Sequence, residues 1–184
     1  MSSGRRPEAI YVGVGGNDGG EDAIRRRMAA AAQALAELSY AGDIERSSIY
    51  LTAPQGPHRD QPPFLNAVIG LGRGAEVDPV AVLADLLAIE ARLGRDRDRE
   101  IPLGPRPLDL DLLLCGDVVA NMAGPPELSL PHPRLADRAF ALAPLAELAG
   151  YDLVLPHLGV TVGERLADPV VRAQPISRLD VDWR

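Results

Sequence analysis

Apolar residues recur along the chain in two rhythms, one suited to strands and one to helices. A short apolar run, Ile10-Tyr11-Val12-Gly13-Val14, predicts a first strand, and the glycine-rich Gly15-Gly16-Asn17-Asp18-Gly19-Gly20 ends it. From Asp22 onward Ile24, Met28, Leu35 and Leu38 form a stripe at helical spacing, with alanines between them. Ile44 to Leu51 predicts a second strand, and Phe64 to Leu71 a third after the proline-rich Thr52 to Pro63. Asp78-Pro79 pairs an N-cap residue with proline at the first helical position. The helix it opens lines Val82, Leu83, Leu86, Ile89 and Leu93 along one side and can stop at Gly94. Leu108 to Leu114 predicts a fourth strand. Beyond a Pro/Gly break come a helix over Leu135 to Leu148, interrupted by Pro144, and a short strand from Tyr151 to Leu155.

The order strand, helix, strand, strand, helix, strand is that of an α+β fold, the ferredoxin-like α/β sandwich, with a mainly antiparallel sheet and helices packed on it. No repeat or low-complexity linker divides the chain. Its 184 residues fit a single domain, read here as 9–165. Residues 1–8 are expected to be a disordered tail and 166–184 a C-terminal extension.

Composition narrows the chemistry. Aromatics are only 4% of the chain, so aliphatic side chains must fill the core and each ring merits attention. Cys115 is the sole cysteine and sits in an apolar run, which excludes an internal disulfide and reads as a buried inert thiol. The net charge of −7 argues against a nucleic-acid-binding face. No run approaches the ~20 apolar residues of a membrane helix, and no apolar stretch follows Arg5 and Arg6 as in a signal peptide. The reading is a cytoplasmic protein without a membrane or nucleic-acid partner. All nineteen basic residues are arginine. Without lysine there is no Walker A loop and no Schiff base. Phosphate chemistry would rest on arginine, backbone N–H groups and metal.

Four segments carry candidate chemistry. In Gly104-Pro105-Arg106-Pro107-Leu108-Asp109-Leu110-Asp111, the two aspartates lie two apart on a predicted strand. They therefore share a face at roughly 7 Å, and that face is expected to continue through Leu113 and Cys115. Neighbouring carboxylates beside a core repel unless a cation compensates, and a divalent metal with oxygen ligands does so. Taken alone, Asp-x-Asp is a short motif that fits a solvated acidic strand better than a metal site. Arg92, Arg95, Arg97, Arg99 and Arg106 supply rigid forks matched to phosphate oxygens, although Asp96, Asp98 and Glu100 could pair with them on a surface loop. In the stiff loop from Thr52 to Asn66, Asn66 offers donors and an acceptor for a heterocycle's edge, and Phe64 shares its face and could stack on the ring. The plainer alternative is a core Phe64 beside a capping Asn66. Finally, His132 stands between Pro131 and Pro133, ahead of Arg138 and Phe140, and could meet a nucleotide or merely a backbone carbonyl.

Together, in this order, these segments closely resemble the 6-hydroxymethyl-7,8-dihydropterin pyrophosphokinase family. The matching stretches are Gly15-Gly16-Asn17, Thr52 to Asn66, Glu90 with Gly94-Arg95-Asp96-Arg97, Gly104 to Asp111, and Pro131 through Phe140. The resemblance implies that Asp109 and Asp111 bind two Mg²⁺ ions with ATP. Arg95, Arg97 and Arg106 would surround the transferring diphosphate. Phe64 and Phe140 would sandwich a reduced pterin, while Thr52, Pro54 and Asn66 bond its edge. Glu90, Arg97, Arg106, His132 and Arg138 would serve the nucleotide. Three positions depart from the family pattern. Leu103 replaces a usual tryptophan, Gly16 a usual serine and Pro107 a usual threonine, so a relative acting on another pterin-like alcohol is the rival reading. A non-catalytic ferredoxin-like binding module, the other alternative, is disfavoured by scarce aromatics and negative charge.

Overall fold

The structure, a computed structural model, describes residues 9–54, 60–73 and 77–183. The tail 1–8 and the middle of the proline-rich stretch lie outside them. In chain order the elements are β1 (Ile10–Gly16), α1 (Glu21–Ala36), β2 (Ala41–Arg46), β3 (Tyr50–Thr52), β4 (Phe64–Arg73), α2 (Pro79–Arg92) and β5 (Asp109–Cys115). After these come β6 (Ala120–Met122), β7 (Leu128–Leu130), a 3₁₀ turn (Leu135–Asp137), α3 (Ala139–Ala149), α4 (Val162–Ala167), α5 (Pro169–Arg172) and β8 (Ile176–Arg178).

The central sheet runs β5-β1-β4-β3-β8, with β2 also on β4, and every pairing is antiparallel. It is the ferredoxin-like α+β arrangement, with β6 and β7 forming a separate hairpin. Alternation in the strands divides the core between the two faces. Ile10, Val12, Val14, Leu110 and Leu112 meet Ile24, Met28 and Leu35 of α1 and Val82, Leu86 and Ile89 of α2. Tyr11, Val68, Leu113 and Leu114 meet Leu142 and Leu145 of α3, together with Leu155 and Val162. Asp78 caps α2 by accepting from Val80 N at 2.9 Å, as Asp-Pro predicts.

Four features depart from the periodicity reading. The helix expected over Leu135 to Leu148 starts only at Ala139, after a 3₁₀ turn and an extended Arg138, and it runs through Pro144 rather than breaking there. The single strand expected from Ile44 to Leu51 is broken, because Ser47 leaves the ladder: its Oγ accepts from Val68 N and its carbonyl from Trp183 Nε1, both at 2.9 Å. Tyr151 to Leu155 makes only an isolated bridge, Val154 to Thr161. In β5 the register slips, since Val12 faces Leu112 and Tyr11 faces Leu114. Leu113 is the extra residue of a bulge. The face holding Asp109, Asp111 and Leu113 therefore continues with Leu114, and Cys115 turns into the core under α1 and α2. The segment after residue 165 contributes β8 beside β3, and it buries Trp183 in that same core.

Candidate active site

The glycines at the end of β1 set the floor of the site. A Cβ at Gly15 would lie 2.5 Å from Asn66 Oδ1 and 2.9 Å from the Leu65 carbonyl, so only glycine lets β4 approach so closely. A Cβ at Gly16 would lie 2.7 Å from the Pro107 carbonyl, so two of the three departures from the family pattern touch one another. Beyond them Asn17, 1% exposed, ties three segments together. Its Oδ1 accepts from Arg106 N at 3.0 Å, and its Nδ2 donates to Gln61 Oε1 at 3.0 Å and to the Pro62 carbonyl at 2.9 Å. Gln61 in turn donates to the Leu103 carbonyl at 3.1 Å. Residue identity alone assigns no such role to Asn17 or Gln61. Their signal in the sequence is that both lie in stretches carrying the family resemblance, Gly15-Gly16-Asn17 and Thr52 to Asn66.

Above this floor opens a cavity of about 380 Å³. Thr52, Phe64 and Asn66 line it from β3 and β4, Asp109 and Asp111 from β5, and Arg106 and Leu103 from the arginine-rich loop. His132, Arg138 and Phe140 close the opposite side. The strand spacing thus brings both predicted rings, the predicted polar pair and both aspartates to one place. Asn66 donates from Nδ2 to Thr52 Oγ1 at 2.8 Å. The Arg106 guanidinium lies 5.3 Å from the centre of the Phe64 ring, and that of Arg138 5.2 Å from the centre of Phe140. Leu103 holds a positive φ of 62°. Pro54 does not line this cavity, and neither do Glu90, Arg95 and Arg97.

Those last three instead form a charge network behind Asp109. Glu90 is 1% exposed at the end of α2. It accepts from Arg95 Nη1 and Arg97 Nη2, both at 2.6 Å, and from Leu110 N at 2.7 Å. Arg95 also pairs with Glu100 at 3.0 Å and donates to Asp109 Oδ1. Arg106 Nε stands 3.3 Å from Asp109 Oδ2, an ion-pair approach whose angle makes no hydrogen bond. Burial works against the charge of Arg95, but Asp109, Glu100 and Glu90 outweigh it and hold the guanidinium above its ordinary value. Burial raises Glu90, opposed by the Leu110 N–H, Arg97 and Arg95.

The remaining site groups are tuned by position. Burial, then the neighbouring Asp109 charge, pushes the Asp111 carboxyl up to about 6, against the pull of Arg138 and Arg106. Burial, with Arg138 and Arg134 nearby, lowers His132 to about 4, so it is neutral at ordinary pH. Its Nδ1 accepts from Arg134 N at 3.2 Å, and its backbone N–H donates to the Leu113 carbonyl at 2.9 Å. Among the described residues no three or more acid, histidine or cysteine side chains form a closed metal cage. The Asp109–Asp111 pair is an open acidic site, in which burial first and the Asp109 charge second raise Asp111.

A family model, 7,8-dihydro-6-hydroxymethylpterin-pyrophosphokinase (HPPK), matches residues 11–150, the stretch that builds this cavity. The chain belongs to this family. Its relatives include the 2-amino-4-hydroxy-6-hydroxymethyldihydropteridine pyrophosphokinase of Pseudomonas aeruginosa, 39% identical over 149 residues, covering 81% of this chain and 85% of that one. The enzyme of the same name from Methylorubrum extorquens is 40% identical over 158 residues, covering 85% and 90%. Solved HPPK-DHPS chains share the fold. The wild-type protein of Plasmodium falciparum with pteroate matches at a TM-score of 0.66 and 14% identity over 89% of this chain. That match takes in 44% of the larger chain, so this HPPK chain spans less than half of its solved neighbour. Among the described residues, no helix is long and apolar enough to cross a membrane.

Proposed function

We propose that this chain transfers a diphosphate from ATP to the hydroxymethyl group of 6-hydroxymethyl-7,8-dihydropterin and releases AMP, a step of folate biosynthesis. The observation that carries the reading is the acid pair Asp109–Asp111 opening into a cavity walled by Phe64 and Phe140. A flat bicyclic ring fits between two aromatic side chains, and its polar edge finds donors and acceptors in Asn66 and Thr52. Pro54, one residue beyond the described lining, would border that edge from the loop.

The hydroxymethyl oxygen forms a bond to the β-phosphorus of ATP, and the bond from that phosphorus to the α,β-bridging oxygen breaks in line. Such transfers depend on positioning and on neutralising phosphate charge. Arg106 and Arg138 face the cavity and supply that charge directly. Arg95 and Arg97 stand on the loop that follows α2, both held by Glu90 and Arg95 also by Asp109, and the family resemblance would give them to the diphosphate and nucleotide. Glu90 aims both of them. His132, neutral, offers a hydrogen bond on the nucleotide side without adding charge.

Asp109 and Asp111 fit Mg²⁺, which is held by few carboxylates together with substrate oxygens rather than by an all-protein cage. Two such ions would supply charge neutralisation at the phosphates and template their geometry. The test is direct: incubate the protein with ATP, Mg²⁺ and the hydroxymethyl pterin, and separate the nucleotides. AMP accompanying pterin diphosphate is the expected result; ADP as the sole nucleotide product would overturn the reaction class.

A further inference from the structure

The two walls of the pterin cavity come from parts of the chain with no sheet pairing to each other. One wall is Thr52 on β3 with Phe64 and Asn66 on β4; the other is Asp137, Arg138 and Phe140 at the start of α3. Stacking energy falls steeply once a ring is held too loosely, so something must fix the separation. The start of α3 is poorly secured by its own sequence. Arg138, its N-cap residue, makes no side-chain cap. The first N–H groups of a helix need partners from elsewhere.

They find one 35 residues away. Gln174 Oε1 accepts from Ala139 N at 3.0 Å, and Gln174 Nε2 donates to the Asp137 carbonyl at 2.7 Å. One amide side chain thus caps α3 and fastens the turn before it, on either side of Arg138. Arg165 steadies the same turn, donating to the Ala136 carbonyl at 2.8 Å and to Asp137 Oδ1 at 3.1 Å. Two residues after Gln174 the chain enters β8, where Ile176 pairs with Thr52, and Thr52 pairs with Phe64 on its other side. The stretch Gln174-Pro175-Ile176 therefore joins the Phe140 wall to the Phe64 wall. Pro175, with its fixed φ, makes that link stiff.

We propose that Gln174-Pro175-Ile176 is a brace for the pterin slot, with Gln174 the positioning residue that sets where Phe140 and Arg138 stand relative to Phe64. Gln174 touches no substrate; it acts through the first turn of α3. The inference rests on the pterin reading of the cavity given above. It goes beyond the family-matched stretch, which ends at residue 150.

The test compares Gln174→Leu, which keeps length and removes both hydrogen bonds, with Tyr40→Phe. Tyr40 donates to Asp85 at 3.0 Å in the layer on the opposite face of the sheet and does not line the cavity, so loss of its hydroxyl is a matched structural control. Two readouts separate the possibilities. Hydrogen exchange of peptides spanning 138–145 reports the brace without any substrate. It should quicken in Gln174→Leu and stay at the wild-type rate in Tyr40→Phe. Steady-state kinetics at saturating ATP and Mg²⁺ report its function. Gln174→Leu should raise KM for the hydroxymethyl pterin about fivefold, the weight of one partly buried hydrogen bond, with kcat changed less. Gln174→Glu, which keeps the acceptor for Ala139 N–H, should recover part of that loss. Unchanged exchange in Gln174→Leu overturns the brace, and so does an equal KM rise in Tyr40→Phe. A wild-type protein that releases no AMP would instead sink the proposed function, and the exchange experiment would still decide the mechanical link.

Discussion

Arg95 is the side chain on which the charge network turns, and its removal should cost the ligand-free protein measurably. Its side chain is 5% exposed and touches Glu90, Glu100 and Asp109. Arg95→Met keeps most of the bulk but strands carboxylates. Breaking a buried pair by deleting one partner costs about 3–5 kcal/mol, because the remaining charge is left uncompensated. Here the lower end applies. Glu90 keeps Arg97 and the Leu110 N–H, Asp109 keeps Arg106, and Glu100 is 20% exposed and reaches water. A loss of about 3 kcal/mol corresponds to a fall in Tm of about 6–12 °C for a domain of this size. The sign with pH follows from the same contacts. Arg95 favours ionised Glu90, so without it the buried Glu90 carboxyl titrates higher still in the folded state. A raised folded value means stability lost as pH rises through it, so the deficit should be larger at pH 8 than at pH 5. Thermal melts of both proteins at the two pH values, without nucleotide, provide the measurement. A Tm within 2 °C of wild type, or the same deficit at both pH values, would refute the reasoning.

The acid pair should separate under mutation. Asp111→Asn should lose turnover yet melt no lower than wild type, because it removes a buried charge crowded by Asp109; Asp109→Asn should lose turnover and also melt lower, since Arg95 loses a partner. Near-normal AMP release from either variant at saturating Mg²⁺ would remove the metal role. His132 titrates near 4 when folded, below its unfolded value, so its contribution is present at pH 7 and is lost as pH falls from about 6.5 toward 4. His132→Asn should therefore show a shallower loss of stability than wild type between pH 7 and 4.5 in urea titrations, and parallel curves would count against the buried neutral imidazole.

What could be read from residues alone was whatever depends on local rhythm. The stripes of α1 and α2, the Asp78-Pro79 start and the two-residue spacing of Asp109 and Asp111 are all local, and each lies where periodicity puts it. The break between β2 and β3 is not local. Ile44 to Leu51 has apolar residues at both ends of the polar run Glu45-Arg46-Ser47-Ser48, and it is the distant Trp183 and Val68 that hold Ser47 out of line. Strand β8 is three residues long and exists because β3 offers an edge, so no pattern announces it. The helix α4 was legible but unread: Thr161 and Glu164 form a capping box three residues apart. In the site, rings and acids were legible as residue types at set intervals. The burial of Glu90 and Arg95 was not, because alternating arginines and acids read equally as a surface loop until α2 and β5 close over them.

The slip at Leu113 makes one strand do the work of two. Before it, alternate side chains are shared between a polar cleft and the layer under α1 and α2; after it, the phase is reversed and both faces are dry. In an unbroken strand, the residue four positions past Asp111 would inherit the orientation of the acids, and every change of phase at one end would dictate composition at the other. The bulge cuts that dependence. Substitutions at Leu114 and Cys115 can follow the drift of the helices around them, while Asp109 and Asp111 stay bound to their own geometry. The chemical end of the strand and its packing end are thus free to change at different rates, although they are three residues apart.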